Sequence, residues 1–74
     1  MYDVKIYGRM GCPHCFFTER KMQDVKDAKV TVIHDNAAVK EIAKKYNTDE
    51  LPIVMIDGAY YNFLQAKEWV EQHI

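Results

Sequence analysis

Cys12-Pro13-His14-Cys15 contains both cysteines of the chain. Two thiols separated by two residues can form and break a disulfide within one turn of helix. On a helix, residues i and i+3 share a face, with Cβ atoms ~5–6 Å apart. Slight tightening reaches the ~3.5–4.5 Å that a disulfide requires. Pro13 suits the first turn of such a helix, where a missing N–H costs nothing. Cys12 then falls at the helix cap, where unpaired N–H groups and the positive end of the helix dipole favour a thiolate. Cys15 lies one turn further in and is expected to be sheltered. This asymmetry assigns the roles: Cys12 attacks a substrate disulfide and Cys15 resolves the mixed disulfide that results. Between them, His14 as an imidazolium would add positive charge and lower the Cys12 pKa. The plain alternative for His14 is a solvated first-turn side chain.

Other uses of the pair fit less well. A structural zinc site takes four ligands. The chain offers two cysteines and three histidines, and neither His34 nor His73 stands at metal-like spacing from the pair. No metal and no tightly bound cofactor are expected. A purely structural disulfide across two residues would add little. Two core thiols would not need a proline between them at a helix start. His34, at a strand end, and His73, near the chain end, read as structural. Trp69 and the five tyrosines read as packing, with Tyr7 placed to flank the site.

The elements that must hold the motif follow from periodicity. Asp3 to Tyr7 alternates polar and apolar and reads as a strand. Gly8 to Gly11 is a loop. Residues 13 to about 27 read as a helix whose inner face is Cys15, Thr18, Met22 and Val25. Val30 to His34 is β-branched at most positions and reads as a second strand. Asp35 or Asn36 caps a helix with Val39, Ile42, Ala43 and Tyr46 inward, and Asn47 closes it in the left-handed conformation. After a loop over Thr48 to Pro52, Ile53 to Ile56 is a strand covered on both faces. Asp57-Gly58 signals a hairpin returning through Ala59 to Tyr61. Asn62 and Gln65 make a capping box for a last helix with Phe63, Ala66, Val70 and Ile74 inward. The order is β-α-β-α-β-β-α. A β-α-β start needs parallel strands and a right-handed crossover, and the hairpin needs an antiparallel pair. The expected fold is therefore α/β: a four-stranded mixed sheet with three helices, in a single domain over residues 1–74.

Composition bounds the partners. Apolar residues are 49% and charged residues 28%, ordinary globular values that exclude a disordered tail or a low-complexity linker. Ten Lys and Arg stand against eleven Asp and Glu, a net charge of −1. Charge thus points to neither nucleic acid nor an anionic membrane. No apolar run approaches the ~20 residues of a membrane span. The start of the sequence does not read as a secretory signal, so a cytoplasmic location is expected. Two cysteines are too few for a disulfide-dense secreted miniprotein.

With these residues in place, the chain resembles the glutaredoxin family. Tyr7-Gly8-Arg9-Met10-Gly11-Cys12-Pro13-His14-Cys15 is similar to the active-site segment of small bacterial and phage glutaredoxins. That segment carries a basic residue three before the first cysteine, followed by Cys-Pro-Tyr-Cys. Leu51-Pro52, followed by Ile53-Val54-Met55-Ile56-Asp57-Gly58, resembles the family's segment around its cis-proline. The resemblance spans essentially the whole chain. It implies a thioredoxin fold and thiol–disulfide oxidoreductase activity on protein or glutathione mixed disulfides. By position, Cys12 is implied to be the nucleophile and Cys15 the resolving thiol, with Arg9, Pro13 and His14 tuning the thiolate. Arg9 would also meet a substrate carboxylate. Leu51 would pair its backbone with an extended thiol peptide, and Pro52 would be cis.

Three positions depart from the family pattern. His14 replaces the usual tyrosine, and Cys-Pro-His-Cys is better known from larger periplasmic disulfide oxidases. Glu50-Leu51-Pro52 stands for Thr-Val-Pro. Tyr60-Tyr61-Asn62-Phe63 stands where the family holds glutathione with Gly-Gly and an acidic residue. The third helix's N-terminus near Asn62 remains as an anion site.

A monomer is expected, with glutathione as a co-substrate or a thioredoxin-reductase-type enzyme as reductant. Ribonucleotide reductase is an electron acceptor that the resemblance implies. Three alternatives stay open: a thioredoxin-like carrier that ignores glutathione, a net disulfide oxidant or isomerase, and a module bridging an iron–sulfur cluster through Cys12. Pro13 and the second cysteine argue against the last.

Overall fold

The apolar alternation of the first strand sets the sheet. The structure is a computed structural model that describes residues 1–74. Its elements are β1 (Tyr2–Tyr7), α1 (Pro13–Met22), β2 (Ala28–Ile33), α2 (Asn36–Lys45), β3 (Ile53–Ile56), β4 (Ala59–Tyr61) and α3 (Phe63–His73). The expected order β-α-β-α-β-β-α is found. The strands lie in the order β2-β1-β3-β4. β1 pairs parallel with β2, Val4 against Val30, and antiparallel with β3, Val4 against Ile56. β3 and β4 close an antiparallel hairpin. At its tip Asp57 and Gly58 both take positive φ, 49° and 84°, as a two-residue turn matched to strand twist demands. Asp57 Oδ1 also accepts the Asp3 N–H at 2.8 Å and ties the turn to the start of β1.

Registry places Val4, Ile6, Val54 and Ile56 on one face of the sheet. There they pack with Met22 of α1, Val25 beyond it, and Ala66, Trp69 and Val70 of α3. The second face carries Tyr7, Ile53, Met55 and Tyr60. α2 reaches this face at its end, where Tyr46 stacks on Tyr60 at 4.9 Å between centroids. Lys5, Lys29 and Thr31 on the same face stay exposed. Cover on both faces therefore holds for the β3–β4 half and in part for Tyr7 and Ile33 at the ends of β1 and β2, which are half-buried. The rest of the β1–β2 half solves the problem with polar side chains instead.

Two boundaries differ from expectation. α1 stops at Met22, not near residue 27. The Asp24 N–H bonds to Lys21 O and the Val25 N–H to Met22 O, and these i→i+3 bonds tighten the exit into a turn. Val25 remains buried, 3% exposed, so the apolar period runs on past the helix that suggested it. β2 then starts at Ala28 and ends at Ile33, which leaves His34 beyond the strand. Elsewhere the local signals hold: Asp35 caps α2, Asn47 is left-handed with φ 51°, and Asn62 with Gln65 forms the capping box of α3.

Ile6 is fully buried at the centre of this core, whereas Val32 on the edge strand is 38% exposed. Ile6→Ala should cost about 2–5 kcal/mol of unfolding free energy. Val32→Ala should cost under about 1 kcal/mol, as an exposed position does. Urea denaturation of both variants checks this, and equal losses would contradict the contrast between the central and the edge strand.

Candidate active site

β1 ends at Tyr7, and the chain crosses Gly8 to Gly11 before α1 begins at Pro13. Cys12 is the N-cap, with extended backbone at φ −91° and ψ 114°. Its Sγ accepts the Cys15 N–H at 3.3 Å. A sulfur thus occupies the acceptor position that Ser or Asp takes in an ordinary cap. Cys12 is half-buried and Cys15 is fully buried, both as free thiols. Thr18, one turn further, is also buried, and its hydroxyl donates to the His14 carbonyl at 2.9 Å.

Gly8 is what lets Cys15 sit where it does. A Cβ on Gly8 would lie 2.8 Å from Cys15 Sγ and 3.6 Å from Glu19 Oε2. The sulfur therefore lies directly against the backbone at the end of β1. Burial is the main cause that pushes the Cys15 thiol up to about 12. The hydrogen bond and negative charge of Cys12, and the Glu19 carboxylate, act in the same direction, while the Arg9 backbone amide opposes them.

His14 is not turned toward the sulfurs by any hydrogen bond; its ring stacks on Phe63, with centroids 4.2 Å apart and planes 9° from parallel. Phe17 meets the same Phe63 edge-on at 5.9 Å. The start of α1 and the start of α3 are thereby joined by aromatic contact. The Leu51–Pro52 peptide bond is cis, and Pro52 is buried. A cleft of ≈ 580 Å³ runs between this loop and α3, lined by His14, Glu50, Leu51, Asn62, Phe63 and Leu64. It brings together three of the residues singled out in the sequence: His14, Leu51 and Asn62. Arg9 lies apart, in a neighbouring hollow with Thr48, Asp49 and Leu51, so Leu51 is the wall between the two.

At the N-terminus of α3 the capping box is closed. Asn62 Oδ1 accepts the Gln65 N–H at 2.8 Å, and Gln65 Oε1 accepts the Asn62 N–H at 3.0 Å. The first-turn donors left for a ligand are the N–H groups of Phe63 and Leu64. No group of three His, Cys, Asp or Glu side chains is placed to hold a metal ion. No helix is long and apolar enough to cross a membrane.

Sequence reasoning missed four residues here. Gly8 read only as a loop glycine. Phe63 read as an inward core position, yet it faces His14. Glu19 stands four residues after Cys15 on the same helix face, a spacing that marks it as a neighbour of the buried thiol. His34, read as structural, pairs with it at 3.0 Å between Nε2 and Oε2.

No protein-family model matches the sequence, and no curated protein matches it. Solved structures do. Glutaredoxin 1 from Francisella tularensis, complexed with cacodylate, aligns with a TM-score of 0.71 at 23% identity, over 97% of this chain and 95% of that one. Oxidised glutaredoxin 2 from Chlamydomonas reinhardtii aligns with a TM-score of 0.70 at 16% identity, over 96% of this chain and 73% of that one. The reduced thioredoxin pre-protein of Schistosoma mansoni gives 0.56 at 18% identity, over 99% and 79%. At these identities the likeness establishes the fold: the chain has the thioredoxin-like fold of glutaredoxins.

Two predictions follow from the burial of Cys15. Iodoacetamide at neutral pH should modify Cys12 and spare Cys15 in the folded, reduced protein; mass spectrometry of the peptides would show equal labelling if the shelter were absent. The raised pKa also sets a pH dependence. The unfolded thiol ionises near 9.0 and the folded one near about 12, so the unfolded state binds fewer protons in between. Stability from this group is full below 9.0, falls across that window and is gone above about 12. Denaturant titrations of reduced wild type and Cys15→Ala should diverge in slope there, with wild type falling faster.

Gly8→Ala should lose about 1–3 kcal/mol, as overpacking does, and should slow closure of the Cys12–Cys15 disulfide because the sulfur must move. A variant with unchanged denaturation midpoint and unchanged oxidation rate would refute the contact.

Proposed function

We propose that the protein is a dithiol–disulfide oxidoreductase of the glutaredoxin type, with Cys12 as nucleophile and Cys15 as resolving thiol. The observation that carries this reading is the difference between the two sulfurs. Cys12 caps α1 and is reachable, while Cys15 is fully buried one turn behind it. Cys12 as thiolate attacks a substrate disulfide, forming a mixed disulfide and releasing the first substrate thiolate. Cys15 then attacks Cys12 Sγ, the Cys12–substrate bond breaks, and the second substrate sulfur leaves with its electron pair. The substrate gains two electrons and the enzyme ends with a Cys12–Cys15 disulfide. The structural likenesses to glutaredoxins and a thioredoxin support the chemistry class.

The cleft lined by His14 and Leu51 suits an extended thiol peptide. Leu51 precedes Pro52 on one wall, and the His14–Phe63 stack forms the other. Protein disulfides, ribonucleotide reductase among them, and glutathione mixed disulfides are the substrates this reading assigns, with glutathione as reductant. A second reading is favoured by the N-terminus of α3. Its capping box already uses the Asn62 and Gln65 N–H groups, and Glu50 adds an acidic side chain to the same cleft. Both features disfavour the carboxylates of glutathione, and a thioredoxin-reductase-type enzyme is then the reductant.

Cys15→Ser should accumulate a mixed disulfide with a small disulfide reagent, while Cys12→Ser should form none and lose activity on a model disulfide. A mixed disulfide formed equally well by Cys12→Ser would overturn the reading. Oxidised wild-type protein offered glutathione with its reductase, or thioredoxin reductase, separates the two reductants by the rate of NADPH consumption.

A further inference from the structure

We infer that Glu19, held in place by His34, accepts the proton that Cys15 loses as it resolves a mixed disulfide on Cys12. This rests on the oxidoreductase reading above and assigns a role to two residues outside the Cys-Pro-His-Cys motif.

A buried thiol must shed its proton to become a nucleophile, and Cys15 is fully buried. It meets no solvent in the folded protein, so loss of its proton to solvent base requires the core to open. Glu19 stands one turn after Cys15 on the same face of α1. Its Oε2 and the Cys15 sulfur both border the space left open by Gly8, at 3.6 and 2.8 Å from the position of an absent Cβ. The carboxylate is partly exposed and has one polar partner. His34, just beyond β2, holds Oε2 at 3.0 Å through Nε2. Glu19 is only 21% exposed and His34 35% exposed. This carboxylate is paired with His34 from the β2 side, and it acts on Cys15 together with Cys12.

Charge decides why the acceptor must be close. While Glu19 is ionised, its negative charge opposes a second negative charge on Cys15. Moving the proton from Sγ to Glu19 leaves one negative charge in the site before and after. In the mixed disulfide Cys12 is no longer an anion or a thiol, so its own hydrogen bond and charge no longer hold the Cys15 proton. The step balances as follows: the Cys15 S–H bond breaks, and its proton passes to the Glu19 carboxylate. A Cys15–Cys12 S–S bond forms, and the Cys12–substrate S–S bond breaks with its electron pair leaving on the substrate sulfur. A base positioned to take the proton typically contributes ~10²–10⁴-fold to such a step. Glu19 is the proton acceptor, and His34 is a positioning residue.

The test uses a chromogenic aromatic disulfide and stopped-flow absorbance on the reduced protein. One equivalent of chromophore is released when Cys12 attacks, and a second when Cys15 resolves. In Glu19→Gln the first phase should keep the wild-type rate. The second should slow at least ~10-fold and rise in proportion to hydroxide where wild type is flatter. Glu19→Asp should restore part of the second phase and the flatter profile. His34→Gln should slow the second phase less than Glu19→Gln does, and it reports on the same step if that variant folds poorly by circular dichroism. An unchanged second phase in Glu19→Gln, equal slowing of both phases, or a slowed second phase with the wild-type pH profile would each overturn the inference. Failure of wild-type Cys12 to give the first phase would instead defeat the oxidoreductase reading itself.

Discussion

The contact between the first turn of α1 and the backbone at Gly8 governs the arrangement of everything around it. Cys15 Sγ sits where a side chain on Gly8 would be. That position can exist only if β1 ends without a Cβ and α1 starts a few residues later. The parallel pairing of β1 with β2 fixes the other end of α1, because the helix must deliver the chain from one strand to its neighbour. The Gly8 N–H bonds to Ile33 O at 3.1 Å, so the residue that admits the sulfur is also the last rung between the parallel strands. A buried thiol, a strand end and a crossover are thus one constraint.

The difference between the two cysteines needs no special device beyond this. Helix geometry alone puts position N-cap outside and the third helical residue inside. The cap demands an acceptor, and Cys12 Sγ supplies it. The interior demands a small apolar group, and Cys15 fills the first slot of the stripe that continues through Thr18 and Met22. The Glu19–His34 pair lies behind that stripe, on the side of β2, while the His14–Phe63 stack lies in front, against α3. The motif is bracketed by one polar and one aromatic contact, each linking α1 to a different element.

Much of this was legible in the sequence because it depends on local signals. The Asp57-Gly58 turn, the Asn62–Gln65 box, the Asp35 cap and left-handed Asn47 are decided within a few residues of chain, and all four stand where those signals place them. The fold order followed from the same punctuation. The end of α1 was not legible, because Val25 keeps the apolar period while the backbone has already turned. Periodicity reports burial, and burial continues through a turn. The open polar half of the second sheet face was also missed, since a parallel pair suggests full cover but Lys5, Lys29 and Thr31 need none. At the site, Cys12 and Cys15 were visible from type and spacing. The partners Gly8, Phe63 and His34 come from other elements, so the chain's fold, and not its local pattern, brings them in.

A chain of 74 residues has no room for a core and a separate reactive chamber. Small domains bury only about 60% of the surface their unfolded chains expose. Cys15 is accordingly a core residue and, in the proposed reaction, the resolving thiol as well. It is as fully buried as Met22 and Ile6, and that burial raises the cost of ionising it. Chemistry and stability therefore draw on one contact set. A proton acceptor adjacent to the thiol is the arrangement that satisfies both, because it allows the sulfur to react without exposing the core to water. That places the demand on α1's inner edge, at Glu19, where a solvated helix face would otherwise begin.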